Sequence, residues 1–166
     1  MEYDNTEIGL YVKANDKAKS LTKIALPEFV EVLDKYSFSY CNSLKTLKLP
    51  KSLKILEKNA IPSKVETIEY DGTRAELASH LQSVSDDVEI TCKDGVFKLT
   101  EDIDDITYKF VNGGYCVTAI GPSLTTADIK ESIYDIPVTS IDIEDENKWY
   151  MLNRIIIPSK INNISE

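Results

Sequence analysis

The sequence holds one histidine, His80, one tryptophan and three cysteines. With a single imidazole there is no second histidine for a relay. No nucleophile elbow, metal-ligand cluster or phosphate loop is present either, so the sequence does not read as an enzyme. The paired glycines of Asn112-Gly113-Gly114 are followed by no Gly-Lys-Ser/Thr and belong to a turn. Three cysteines do not make a disulfide framework. Cys41 reads as a small buried apolar residue, while Cys92 and Cys116 lie in strand-like stretches and pair only if two hairpins touch. No apolar run approaches the roughly 20 residues that span a bilayer, so direct membrane insertion by a helix is not expected. Met1-Glu2-Tyr3-Asp4-Asn5 is acidic and polar, unlike a signal peptide. The chain either stays in the cytoplasm or is a piece of a longer secreted protein.

Positive charge is also scarce. A net charge of −9 argues against nucleic acid as a partner. The imbalance is uneven, since Lys13 to Lys64 carries eleven lysines against five acids. Lys45, Lys48, Lys51, Lys54 and Lys58 form a solvated face or, on a sharper reading, a basic patch for an acidic partner or the acidic half of a second copy. Glu101, Asp102, Asp104 and Asp105 are the opposite case. Hard cations want several oxygens, but EF-hand spacing and its glycine are missing, so this run reads as a polar linker and no metal or cofactor is expected.

What the sequence does have is a repeat. Leu44-Lys45-Thr46-Leu47-Lys48-Leu49-Pro50-Lys51-Ser52-Leu53-Lys54-Ile55-Leu56 follows L-x-x-L-x-L-P-x-x-L-x-x-L. Leu21, Ile24, Leu26, Pro27, Val30 and Leu33 repeat it 23 residues earlier. Leu152, Ile155, Ile157, Pro158, Ile161 and Ile164 repeat it near the C-terminus. A fixed period of this length marks a leucine-rich repeat solenoid. Apolar residues two apart share one face of a strand. The proline ends the strand because it has no N–H for the ladder, and the second apolar pair closes the opposite wall. Leu47→Asp is therefore expected to be severely destabilising and Lys48→Asp is not.

Taken in order, residues 1–73 read as a first array. Its opening coil, with Ile8, Leu10, Val12, Asn15 and Ala18, is degenerate and acts as a cap. Phe38 and Ile61 match at the period. Val65, Ile68 and Tyr70 begin a third coil after a two-residue shortening. Residues 74–100 read as a capping helix and hairpin. Thr73 and Glu76 form a capping box, Leu77 and Leu81 share a face, and Val88–Cys92 and Val96–Leu99 turn at Lys93-Asp94-Gly95. His80 beside that helix face is structural. Residues 101–135 read as a linker, a second hairpin and a short helix. Ile106, Tyr108 and Phe110 face Tyr115, Val117 and Ala119 across Asn112-Gly113-Gly114, and a helical turn from Thr125 or Thr126 carries Ile129 and Ile133 on one face. Residues 136–166 read as the start of a second, truncated array, out of phase with the first. A solenoid does not normally end on an uncapped coil, so a longer parent polypeptide is expected.

Leu26-Pro27-x-x-Val30-x-x-Leu33, Tyr36-Ser37-Phe38-Ser39-Tyr40-Cys41-Asn42-Ser43-Leu44, Leu49-Pro50-Lys51-Ser52-Leu53 and Ile157-Pro158-Ser159-Lys160-Ile161 resemble the BspA-type leucine-rich repeats. Their pattern is roughly L-P-x-S-V-x-x-I-x-x-x-A-F-x-x-C-x-S-L-x-x-I-x-L-P. Ile61, Glu146 and Trp149 depart from it. The resemblance implies a bacterial cell-surface or secreted protein that binds host or bacterial macromolecules.

The expected fold is therefore a β-rich leucine-rich repeat solenoid of period 23 with a short capping helix and hairpins, α+β overall but mostly β. The expected function is a non-catalytic module binding protein or glycan. Its candidate surface is the outward row Lys23, Ala25, Thr46, Lys48, Thr67 and Glu69. The alternative is a structural spacer or self-assembly segment. No pair of carboxylates is placed around a cleft as glycoside hydrolysis would need.

Overall fold

The structure, a computed structural model, describes residues 19–81, 84–143 and 151–165. The chain forms two compact units, one running to Phe97 and the other from Lys98.

The first unit is built by the repeat. Its elements are β1 (Lys23–Ala25), β2 (Val32–Leu33), β3 (Thr46–Leu49), β4 (Ile55–Leu56), β5 (Thr67–Tyr70), α1 (Arg74–His80), β6 (Glu89–Cys92) and β7 (Gly95–Phe97). One wall is a sheet in the order β1-β3-β5-β6-β7, and the other is the pair β2-β4. Strands β1, β3, β5 and β6 run parallel, with Ile24 beside Leu47, Leu47 beside Ile68 and Ile68 beside Ile90. Leu47, Ile68 and Ile90 are wholly buried, as are Leu33 and Leu53 from the opposite side. Each coil thus supplies both faces of one core, and no coil could bury its leucines alone. The Val30 N–H donates to the Pro27 carbonyl and the Leu53 N–H to the Pro50 carbonyl, so each proline opens the turn that carries the chain to the second wall. The motif's serine has a role as well, because the Ser52 hydroxyl donates to the Val30 carbonyl of the preceding coil at 2.8 Å.

One element of the repeat differs from expectation. Phe38 is buried, but in the following coil Ala60 takes the inward place and Ile61 is only half-buried. The alanine of the A-F pair fills the core there because the chain is about to shorten at Pro62-Ser63. The degenerate first coil expected before Lys19 lies outside the described residues, as do Glu146 and Trp149.

Helix α1 starts as the sequence requires. The Glu76 N–H donates to Thr73 Oγ1 at 3.2 Å, and the Thr73 N–H donates to Glu76 Oε2 at 2.8 Å. The bond from Thr73 and the Lys51 ammonium hold the Glu76 carboxyl below its usual range. Its contribution is therefore present above the ordinary carboxylate pKa and is lost on acidification through the lowered one. Arg74 ties the helix to the β6–β7 turn, with its backbone N–H and Nε on the two Asp94 carboxylate oxygens at 2.9 and 3.2 Å. Thr73→Ala should cost about 1 kcal/mol, read as a lower denaturant midpoint with an unchanged slope.

The second unit contains β8 (Thr100–Ile103), β9 (Ile106–Val111), β10 (Gly114–Ile120), β11 (Thr126–Asp128), β12 (Ser132–Ile133), β13 (Ile136–Asp142), β14 (Arg154–Ile156) and β15 (Asn163–Ser165). Strands β8, β9 and β10 form an antiparallel meander. From β10 onward the coil returns, since β10, β13 and β15 are parallel neighbours, and β11 pairs with β14 as a second wall. Ile141 faces Ile164 at the repeat's spacing of 23 residues. Ala127 faces Ile155, 28 residues on, because the small hairpin of β12 and β13 is inserted between them.

Three expectations for this unit are corrected. The run 101–105 is a strand and a turn, not a linker. Glu101 is buried against Lys98 and the Tyr134 hydroxyl, Asp102 accepts from Thr107 Oγ1, and Asp104 pairs with Lys130. The helical turn expected from Thr125 or Thr126 is strand β11, where burial alternates so that Ala127 and Ile129 point inward. Ala119 faces outward, because a bulge between Val117 and Ala119 turns Ile120 inward in its place. The turn at Asn112-Gly113 has both residues at positive φ, as a tight hairpin requires.

Candidate functional site

The inward positions of β1, β3, β5 and β6 are filled by the core, so the alternate positions must face outward. The register sorts them into two columns. One contains Lys23, Thr46, Thr67 and Glu89, and the other Ala25, Lys48, Glu69 and Thr91. All six residues singled out from the sequence lie in these columns. Glu89 and Thr91 were missed, because β6 reads in sequence only as a hairpin arm. The available signal was Val88-x-Ile90-x-Cys92, which follows Ile68-x-Tyr70 at nearly the repeat period but lacks the closing proline.

The charges on this face are arranged in pairs. Lys23 Nζ lies 2.8 Å from Glu69 Oε1, bridging from β1 to β5. Lys48 Nζ lies 2.9 Å from Asp71 Oδ2, and Lys45 is bonded to Glu66. Further round the coil, Lys51 meets Glu76 at 3.3 Å and Lys54 meets Glu31 at 2.9 Å. The lysine run is therefore not a bare basic patch. Four of its five members have an acidic partner supplied by a neighbouring coil or by α1. The hydrogen bond and charge of Asp71 raise the Lys48 pKa, which keeps that amine cationic. These are half-exposed to exposed pairs that contribute little to stability, but they fix the pattern of donors and acceptors a partner would meet.

A shallow depression of about 540 Å³ opens on the same face, lined by Lys48, Glu69, Tyr70, Asp71, Thr91, Cys92 and Lys93. Its rim offers ammonium donors, carboxylate acceptors and the Thr91 hydroxyl. The groups beneath are inert. Burial and the nearby Asp94 carboxylate push the Cys92 thiol up to about 12, so it forms no thiolate at neutral pH. Burial and the Glu76 carboxylate raise the Tyr70 hydroxyl as well. Cys41, Cys92 and Cys116 are all free, buried thiols. Among the described residues, no three histidine, cysteine or acidic side chains are grouped to hold a metal ion, and no helix is long and apolar enough to cross a membrane. His80 sits half-buried at the end of α1. The arrangement is suited to holding a polar surface by hydrogen bonds and complementary charge.

No curated protein matches the chain. Among solved structures, a leucine rich cell surface protein from Faecalibacterium prausnitzii A2-165 is 20% identical, with a TM-score of 0.33, over 88% of this chain and 41% of that one. The chain thus spans less than half the length of that protein. The family profile described as "BspA type Leucine rich repeat region" matches residues 6–109 in six copies, which is more than half of the chain. The chain belongs to the BspA-type leucine-rich repeat family.

Proposed function

We propose that this chain is a non-catalytic binding module that presents the paired-charge face of its first unit to a protein partner, within a longer surface or secreted polypeptide. The observation that carries this reading is the register of β1, β3, β5 and β6, which aligns eight outward residues into two columns beside an open depression. Solenoids use such extended surfaces for recognition, and leucine-rich repeats of this family are typically non-catalytic. The cell-surface description of the Faecalibacterium protein fits the setting. The ion pairs within the first unit weigh against charge-driven self-assembly, because they occupy the lysines that would drive it.

The test is surface plasmon resonance against a panel of purified matrix glycoproteins, with wild type and Thr67→Arg compared. Thr67 lies mid-row and half-exposed, so arginine there obstructs docking without touching the core. At least a tenfold loss of affinity with an unchanged melting temperature is expected, and equal affinity of the two proteins would refute the face. Light scattering at low and high salt should give a monomer in both, whereas a salt-sensitive oligomer would favour assembly instead.

A further inference from the structure

A second surface of the first unit is shaped by two non-glycine residues in the left-handed region. Tyr36 has φ 65° and Asn59 φ 64°. They occupy the same place in successive coils, and the Tyr36 N–H donates to the Asn59 carbonyl at 3.2 Å. Asparagine tolerates this backbone, whereas a bulky side chain adopts it only against a steric penalty. At Tyr36 the penalty secures no core packing, since the residue is 59% exposed. It does fix an aromatic ring at the edge of the coils. The Lys35 ammonium, 4.9 Å from the ring centroid, steadies it from one side.

Tyr36 lines two adjoining depressions of about 170 and 380 Å³. Tyr36, Asn59, Pro62 and Ser63 line both of them. Ser39 and Asn42 add to the smaller and Ser85 to the larger. None of the outward row's residues is among them. The groove thus combines an exposed aromatic side chain and the apolar side chains of Phe38, Ile61 and Val84 with amides and hydroxyls, groups that both donate and accept. Among its described lining residues only Lys64 is charged, and the Lys35 ammonium lies against the ring itself.

We propose that this edge groove binds a neutral saccharide, with a sugar ring against Tyr36 and its hydroxyls bonded to Asn59 and Ser63. Sugar rings carry an apolar C–H face and a rim of hydroxyls, and the groove matches each with one kind of partner. An anionic ligand would call for several cations converging on one point, whereas Lys35 is engaged with the ring and only Lys64 lines the groove. A helical peptide would call for a continuous apolar trough, which Asn42, Asn59 and Ser63 interrupt. The backbone strain at Tyr36 is then the cost of presenting the ring.

The experiment is affinity electrophoresis of the full chain in gels containing hydroxyethyl cellulose, dextran, galactomannan or arabinoxylan. Wild type should be retarded by at least one of them. Tyr36→Gly should lose the retardation while its melting temperature stays level or rises, because glycine accepts φ 65° freely. Phe29→Ala, which removes an aromatic side chain that is 66% exposed and lies outside the groove, should be retarded like wild type. No retardation in any gel, equal retardation of wild type and Tyr36→Gly, or equal loss in Phe29→Ala would overturn the proposal. So would a fall of several degrees in the melting temperature of Tyr36→Gly, which would show that the tyrosine serves the fold.

Discussion

Leu47→Asp unfolds the first unit. Leu47 is wholly buried, flanked by Ile24 and Ile68 in the parallel ladder. Removing such a side chain costs about 2–5 kcal/mol through lost transfer energy and the cavity left behind. A carboxylate at that site adds several kcal/mol more, because it would be buried between the apolar side chains of Ile24 and Ile68. The sum reaches the whole stability of an ordinary domain, roughly 5–15 kcal/mol. Circular dichroism should show loss of strand signal at ambient temperature and no cooperative melt for this unit. Two comparisons make the result specific. Lys48→Asp, one residue along and facing outward, should retain the wild-type fold. Ile164→Asp should also be mild, because Ile164 holds the template position of the buried Leu56 yet is 59% exposed. A wild-type melt for Leu47→Asp would contradict the assignment of the ladder as core.

The repeat was legible because stacking imposes one residue type at each inward position, so Leu47, Leu49, Leu53 and Leu56 announce the coil without any structure. The outward row was legible for the same reason, as the residues between inward positions on a strand have nowhere else to point. Local chemistry also marked the Thr73 cap and the Asn112-Gly113 turn. The misreadings of residues 101–105 and 125–133 share one cause, which is that distant pairing overrode local pattern. Ile129 and Ile133 are four apart and suggest a helix, but β14 pairs alongside and draws residues 126–128 into a strand. The β12–β13 hairpin turns on Tyr134-Asp135, both at positive φ, with no glycine or asparagine to signal it. The Tyr134 hydroxyl bonded to Glu101 anchors that turn from a strand 33 residues away. The lysine partners were hidden for a related reason. Glu66 and Asp71 lie one coil beyond Lys45 and Lys48, so the pairing follows from the repeat period and not from neighbouring sequence.

Tyr108→Ala should be among the most damaging simple truncations in the second unit. Tyr108 lies in β9 with no exposed surface and is among the largest fully buried side chains of the molecule. Losing the ring costs about 3–5 kcal/mol, as for other buried aromatics. The hydroxyl carries a separable part of that cost. It accepts the Lys130 backbone N–H at 3.1 Å, and burial raises its pKa above the ordinary tyrosine value. Tyr108→Phe keeps the ring and removes only the acceptor, which should cost about 1–3 kcal/mol through the N–H left without its partner. Tyr115→Phe provides the contrast. Its hydroxyl donates to the Lys98 carbonyl at 2.5 Å. An orphaned carbonyl is tolerated better than an orphaned N–H, so Tyr115→Phe should be the milder change. Urea titrations of the three variants should rank their midpoints with Tyr108→Ala lowest, then Tyr108→Phe, then Tyr115→Phe. Equal midpoints for Tyr108→Phe and wild type would mean that the Lys130 amide finds its acceptor in water, and that the ring alone holds β9 in the core.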